Sequence, residues 1–589
     1  MKRFGKSLFC VLLLAAGVIL TGCSGSSETE TAPETETAAE TTRAYLDPAD
    51  RDTILRIHTD QPLDVIDNKL SNMNMWNYNM FWQNGYSEKY FENIYPFVEE
   101  MQFMTATGGE SGRDLFLDPA DRTVLDDYDF SPLVTACRNV VDQGLTPVVK
   151  TGNIPQKYSS VSTAGTFGVN LYPPDDYTVY YNYIQAMART MVDNFGLEEV
   201  RTWRWGCFTE YENADWFQGT CEDYCKIYDY TVAALQSVLG FDIRIGAHSM
   251  TCSEGLWDER DFIEHCISGT NYCTGEQGTR LTYLAASYYD DTISGLSSRT
   301  PRLTKTINLL RDKVNESLDA AIAAGISEEH LDRLGVTSIY YGIDEGRILS
   351  GAKGLNDSAL TERITGHTKQ AAYDAMILHQ MVDNDIGYFS AWAYHTDQFY
   401  GLPTVSYHTA SSFYKMVGTT QLKTSVERYV ENSLYPRTQD VLASVTEDGT
   451  VYAMVYDFGD DLNVRDRDQN VGNSVHLLMQ MDCEKAKITF SYINDDSNFF
   501  DEWTADYEEA GVKKTDFSWS PDSTQLPGNL VSDTARRVFN ENVTGGSDYT
   551  RCAVLKMDSE EVTVTGGELY YHLPLEPNSV VFLKIESLS

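Results

Sequence analysis

From about residue 60 to about residue 420 the sequence alternates helix-period segments with short apolar runs, and this alternation limits the fold more than any other feature. Parallel strands need a crossover connection, usually a helix, so a long strand–helix alternation predicts a parallel sheet with helices packed on it. One unit starts at Asp129-Phe130-Ser131-Pro132, with Ser131 expected as the N-cap and Pro132 at the first helical position. Leu133, Cys137, Val140 and Val141 then share one face, Gly144 is a stop signal, and Leu145 to Val149 reads as a short buried strand. The next unit repeats the scheme. Tyr180, Ile184, Met187 and Met191 fall at helical spacing, Gly196 follows, and a strand is expected from Val200 to Trp205. Phe241 to Ala247, Leu281 to Ala286, Val336 to Tyr341 and Tyr388 to Trp392 read as further strands. At this length the expected fold class is α/β, a (β/α)8 TIM barrel over residues 63–422, with an open doubly wound sheet as the alternative.

Past residue 423 the texture changes. Val441 to Val445, the turn signal Asp448-Gly449 and Val451 to Tyr456 read as a hairpin, and five more strand-like runs follow up to Ile585. Residues 423–589 are therefore expected to form an all-β sandwich that follows the barrel.

The first residues read as an export signal. Lys2, Arg3 and Lys6 precede an apolar stretch from Leu8 to Leu20 that is short for a membrane span. It ends in Leu20-Thr21-Gly22-Cys23, which resembles a bacterial lipobox. Residues 1–22 are thus expected to be a lipoprotein signal peptide, with Cys23 lipidated and the protein anchored to the cell membrane facing away from the cytoplasm. Residues 23–48 are Ser/Thr/Glu/Ala-rich without apolar periodicity, as in a disordered acidic tether.

Composition narrows the partners. The chain of 589 residues carries 87 acidic against 45 basic residues, a formal charge of −42. That balance argues against nucleic acid and against electrostatic docking on anionic lipid, both of which need basic patches. Of eleven cysteines, Cys10 would leave with the signal and Cys23 would carry lipid, so an odd number remains and at least one thiol is unpaired. Cys221 and Cys225, or Cys252, Cys266 and Cys273, are close enough in sequence to hold a bridge. No CxxC pair, HExxH, GxxxxGK[ST] or GxSxG occurs, so no metal and no cofactor is expected.

In a β/α barrel the chemistry sits at the C-terminal ends of the strands. The strand expected up to Trp205 runs into Gly206-Cys207-Phe208-Thr209-Glu210, and the one up to Tyr341 runs into Gly342-Ile343-Asp344-Glu345. Each places a carboxylate past a strand end. Glycosidic hydrolysis requires two facing carboxylates, one protonated to donate to the leaving oxygen and one ionised. Aromatic residues that could carry sugar faces cluster nearby, among them Trp205, Tyr211, Trp216 and Trp392.

The stretch Tyr172 to Phe217, with PPDDYTVYYNYIQAMARTMVDNFGLEEVRTW, resembles the signature region of glycoside hydrolase family 39, the β-xylosidase and α-L-iduronidase family of clan A. YDFSPLVTACRNVVDQGLTPVVKTGNIP, SNFFDEWTADYEEAG and LYYHLPLEPNSVVFLKI are similar to the family's third barrel unit, a segment of its sandwich and its closing strand. The resemblance implies a retaining glycosidase acting on terminal bonds of oligo- or polysaccharides, with Glu210 as acid/base and Glu345 as nucleophile. It implies carbohydrate contacts from Thr209, Tyr289, Trp392, His248 and Asp344. It also implies that an N-terminal strand, within residues 49–62, joins the sandwich. The sequence departs from the family at several places: Thr209 stands for Asn, Tyr211 for Pro, Ser287 for His and Lys150 for Glu. A catalytically impaired surface glycan-binding lipoprotein is the alternative, and a lipoprotein with a protein partner is a third.

Overall fold

The computed structural model describes residues 52–75, 96–110, 112–161, 165, 168–207, 209–249, 256–291, 302–349, 368–390, 402–428, 437–459, 473–513, 516 and 532–588. The signal segment, Cys23, the tether, Phe208, Cys252 and Trp392 lie outside these residues, as does the side chain of Tyr289.

The first strand, β1, is Thr53–Val65. The next eight form a parallel barrel in chain order: β2 (Asn72–Met75), β3 (Glu100–Phe103), β4 (Thr146–Thr151), β5 (Arg204–Cys207), β6 (Arg244–Ser249), β7 (Tyr283–Asp291), β8 (Tyr340–Leu349) and β9 (Tyr388–Phe389). Phe389 N–H donates to Lys69 O at 2.9 Å, just ahead of β2, and so ties the last strand back to the first.

The crossover helices follow their sequence signals. In the helix Tyr177–Phe195 the Asp176 side chain caps the Thr178 N–H, and Tyr180, Tyr183, Ile184, Met187 and Met191 are buried. Gly196, at φ +87°, ends it, a backbone region that favours glycine. The helix Cys221–Leu239 starts on a capping box between Thr220 and Asp223.

Three local expectations are corrected. Ser131 is not the N-cap but the first residue of the helix Ser131–Asp142; Phe130 holds the cap position without a side-chain bond, and Asp129 accepts from the Ser131 N–H at 3.1 Å. Leu197–Thr202 is a short helix rather than a strand, so β5 begins only at Arg204. Val336–Ser338 is a single 3₁₀ turn, so β8 begins at Tyr340 and contains both Asp344 and Glu345 instead of ending before them.

A long connection between β3 and the helix Ser131–Asp142 is held by one lysine. The Lys157 ammonium donates to Asp118 O (3.2 Å), Asp121 O (3.4 Å), Val124 O (2.8 Å) and the Asp127 carboxylate, and lies 3.9 Å from the Phe116 ring centroid.

The remaining strands are β10 (Thr420–Arg428), β11 (Arg437–Val445), β12 (Val451–Gly459), β13 (Asn473–Gln480), β14 (Lys485–Ile493), β15 (Met557–Thr563), β16 (Glu568–Leu575) and β17 (Val580–Leu588). With β1 they make one hydrogen-bonded sheet in the order β15-β14-β17-β12-β11-β10-β1-β13-β16. The sheet folds over a shared core that includes Leu55, Ile57, Val441, Val455, Leu477, Ile488 and Leu583. Tyr571 on β16 donates to Glu560 on β15 at 2.8 Å, linking the two ends of the order. β1 is antiparallel to β10 and parallel to β13, which makes it an interior strand of this sheet. Between β14 and β15 the helices Phe500–Glu509 and Asp533–Asn542 pack Trp503 edge-on against Phe539, with ring centroids 5.2 Å apart. No described helix is long and apolar enough to cross a membrane.

Candidate active site

The interior of the barrel is polar where most barrels are packed with aliphatic side chains. Lys150 on β4 forms an ion pair with Asp344 on β8, and Tyr388 on β9 donates to the same carboxylate. The Arg204 guanidinium on β5 pairs with Glu100 on β3 at 2.9 Å and lies over the rings of Tyr283 and Tyr388. Gly206 makes room for this layer, because a β-carbon there would collide with Lys150 Cδ and the Tyr283 hydroxyl. Burial alone would push the Asp344 carboxyl up; the charges of Lys150, His248 and Arg204 outweigh it and hold the group down at about 2.

Asp344 sits at an irregularity. Ile343 is in register with Ala286, but the next paired residue, Ser287, faces Glu345, so β8 has one residue more than β7 at this point. Such a bulge bends the strand and re-aims its side chains. The Asp344 carbonyl accepts from Asn74 Nδ2 (3.1 Å) and Gln102 Nε2 (3.3 Å), and its side chain turns into the barrel. Glu345, also buried, faces Thr209, whose Oγ1 lies 3.4 Å from Glu345 Oε2.

Glu210 follows β5 by three residues, with φ +46°, a left-handed backbone that non-glycine residues adopt at a cost. Its Oε2 accepts from Trp216 Nε1 (2.8 Å) and Asn213 Nδ2 (3.1 Å). Burial raises its pKa; hydrogen bonds from Ser287, Asn213 and Trp216 oppose that shift, and the charge of Asp215 adds to it.

His248, at the C-terminal end of β6, lies between these two groups. Its Nδ1 is 2.8 Å from Thr209 Oγ1 and its Nε2 is 2.6 Å from Ser287 Oγ. Burial pulls its pKa down to about 3, with Asp344 opposing and Lys150 adding, so the imidazole is neutral near pH 7. One ligand-type atom from each of Glu210, His248 and Glu345 lies within 4.8 Å of the others. That spacing would suit a small cation; both nitrogens of His248 face hydroxyls, and Thr209 stands between His248 and Glu345.

Four of the expected site residues, Glu210, Glu345, Thr209 and His248, thus converge at one end of the barrel. Asp344 does not face the same way; its carboxylate is engaged by Lys150 and Tyr388. Tyr289 lies on β7 in register with Arg347. Ser287, Asn213, Trp216 and Lys150 complete the site; the sequence offered Trp216 only as a surface for sugar, Ser287 and Lys150 only as departures from the family, and Asn213 not at all. A lysine closing the apolar run Val148-Val149 was the legible signal for one of them. Two of the aromatic candidates are core: Trp205 is fully buried, and Tyr211 stacks on Tyr224 at 4.0 Å. The described cysteines, including Cys221, Cys225, Cys266 and Cys273, are free thiols, so neither expected grouping holds a bridge among them.

Comparison with known proteins adds a likeness in part of the sequence and in the fold. The model of Glycosyl hydrolases family 39 matches residues 118–315, a range that contains Glu210, His248 and Ser287 and stops short of Glu345. A β-xylosidase of Caldicellulosiruptor saccharolyticus is 26% identical over 125 residues, 21% of this chain and 25% of that protein. A β-xylosidase of Geobacillus stearothermophilus is 25% identical over 141 residues, 24% of this chain and 28% of that protein. The chain therefore spans about a quarter of the length of these relatives. The crystal structure of the GH39 enzyme from Xanthomonas axonopodis pv. citri superposes with a TM-score of 0.59 at 13% identity, covering 93% of this chain and 100% of that one. The fold is that of a TIM barrel followed by a β-sandwich, and the chain is similar to glycoside hydrolases of family 39.

Proposed function

We propose that the protein is a retaining glycoside hydrolase of the family 39 type that cleaves terminal glycosidic bonds of oligo- or polysaccharides in a β-xylosidase-like manner. The observation that carries the reading is the close approach of Glu210 and Glu345, with carboxylate oxygens within 4.8 Å. Inverting pairs stand ~6.5–9.5 Å apart to admit a water, whereas retaining pairs stand ~5–5.5 Å apart. In the first step Glu345 attacks the anomeric carbon while Glu210 gives its proton to the departing oxygen. In the second, Glu210 takes a proton from water, the oxygen of that water attacks the same carbon, and Glu345 is released. Burial of Glu210 supports its starting in the protonated form.

The test is release of sugar from a panel of aryl glycosides and plant or host glycans. Glu210→Gln and Glu345→Gln should each lose hydrolysis of whichever compound is cleaved; full activity in both would sink the assignment. The reading extends to location: residues 1–22 direct export and Cys23 carries lipid. Metabolic labelling with a fatty acid should mark the wild type and not Cys23→Ala.

Thr209 favours a second reading. Its hydroxyl faces His248 and Glu345, where the family's Asn would contact the sugar. A surface protein that binds glycans without cleaving them would retain an oligosaccharide and give no product after long incubation.

A further inference from the structure

We propose that Lys150 decides which of two adjacent acids in β8 reaches the site: it draws Asp344 into the barrel and leaves the place opposite Ser287 to Glu345. Only the catalytic consequence rests on reading Glu345 as the nucleophile.

In a regular strand successive side chains alternate between the two faces. β7 keeps this rule. Tyr283 and Ala285 cluster with Tyr388 inside the barrel, whereas Leu284, Ala286 and Tyr288 join the core shared with the crossover helices. β8 keeps it as far as Asp344. A β-carbon at Gly342 would meet the inner ring of Tyr388, Ile343 joins the outer core, and Asp344 points in, to Lys150 and Tyr388. The next side chain should point out. Glu345 instead faces Thr209 and is in register with Ser287, whose Oγ lies 2.6 Å from His248 Nε2. Gly346 marks the same insertion. A β-carbon there would stand 3.2 Å from Ile343 Cγ2 and 2.9 Å from Phe389 Cε2, so positions 343 and 346 share the outer face. An odd separation on one face requires an extra residue between them.

The pairing on either side does not say which residue is the extra one. Ala286 stands opposite Ile343 and Tyr288 opposite Gly346, so Asp344 and Glu345 together face the single residue Ser287. The side chains settle the choice. Lys150, reaching across from β4, donates to Asp344 Oδ2, and Tyr388 on β9 donates to Oδ1. Asn74 and Gln102 hold the Asp344 carbonyl at 3.1 and 3.3 Å, but a backbone oxygen would serve them whatever the side chain. Lys150 is the one holder that needs an acid, because a buried ammonium is stable only beside an anion. With Asp344 drawn inward, Glu345 takes the place opposite Ser287. Asp344 there would be one methylene shorter and would stand further from Glu210 than a retaining pair allows. Lys150 touches no substrate atom and is a positioning residue.

The test compares Lys150→Met with Lys150→Met/Asp344→Leu, using an aryl glycoside that the wild type hydrolyses, at a temperature where circular dichroism shows each protein fully folded. Lys150→Met frees Asp344 to compete for the place of Glu345. Its kcat should fall about a hundredfold, the scale of a 1 Å misplacement, with KM within about threefold of the wild type. The second change removes the competing acid and should bring kcat back to within about tenfold. A folded Lys150→Met with the wild-type kcat would overturn the proposal, and so would a double variant as slow as the single one. Should Lys150→Met fail to fold, Lys150→Gln keeps a donor without the charge and should lose kcat on the order of tenfold; an unchanged kcat would overturn the proposal. A crystal structure of the folded single variant gives the placement without any substrate. Asp344 should leave the barrel interior and Glu345 should shift from Thr209 by about 1 Å or more; both residues in their wild-type places would refute the role of Lys150. If Glu345→Gln hydrolysed the substrate at full rate, the nucleophile reading would fail, while the crystal structure would still decide the placement.

Discussion

Lys150 and Asp344 are an ion pair inside the barrel, their side chains 1% and 0% exposed. The pair joins β4 to β8 and fixes the residue that precedes Glu345. Removing one member leaves the other charge buried, at a cost of about 3–5 kcal/mol, whereas replacing both with apolar groups costs far less. Lys150→Met should therefore lower the free energy of unfolding by about that amount, and Lys150→Met with Asp344→Leu should recover most of it. Denaturant melts of the two variants read this directly, and equal losses would contradict it.

Acid should expose the same pair. The Asp344 carboxyl is held at about 2 in the folded protein and titrates near 3.9 when unfolded. Its folded value is the lower one, so its contribution is complete above about pH 4 and is lost as pH falls toward 2. Unfolding curves between pH 5 and 2 should show a loss in the wild type that is smaller in the doubly apolar variant.

Glu210 occupies left-handed backbone at φ +46°. Glycine adopts that region without the penalty of about 1 kcal/mol that a β-carbon brings. Glu210→Gly should abolish turnover yet unfold at a higher denaturant concentration than Glu210→Ala. Equal stability of the two would show that the backbone relaxes.

Trp216 offers a finer probe. Its indole N–H favours the ionised Glu210 carboxyl, while its ring packs with Val169 and Leu171. Trp216→Phe keeps the ring and removes the donor, so the basic limb of kcat/KM should move to higher pH. A limb that stays in place would detach Trp216 from the acid.

Lys157 gathers three carbonyls and a carboxylate from residues 118–127 around one ammonium. Lys157→Met keeps the length and loses the donors, and should cost about 1–3 kcal/mol for the orphaned acceptors. Faster amide exchange confined to residues 118–127 would mark the effect; a uniform increase would assign it to global stability.

Much of the architecture was legible because buried parallel strands and amphipathic helices write different periods. Val148-Val149 and Tyr180-Ile184-Met187 announced themselves in this way. The misplaced starts of β5 and β8 share one cause. Both strands carry polar residues into the barrel, Arg204 in one and Asp344 in the other, and these hide the apolar run that would mark a buried strand. The apolar residues just ahead of them, Val200 and Val336, carry the strand-like signal and belong instead to turns of helix. At the site, a carboxylate near a strand end was readable from spacing. The bulge at Asp344 was not, because it depends on which residue of β7 stands opposite. Nor was the part played by Ser287, a small hydroxyl with no local signature, whose meaning comes from a histidine on the neighbouring strand.

The interior position of β1 sets an order of assembly. Its partners, Ser425 among them, lie at least 355 residues further along the chain. A ribosome delivers the N-terminal part first, so Thr53–Val65 emerges long before β10 and β13 exist to receive it. Until then its two edges are unpaired, a state that invites pairing with other chains. The barrel is consequently an insertion within a sheet that it interrupts, and the molecule is sealed last by a strand made first.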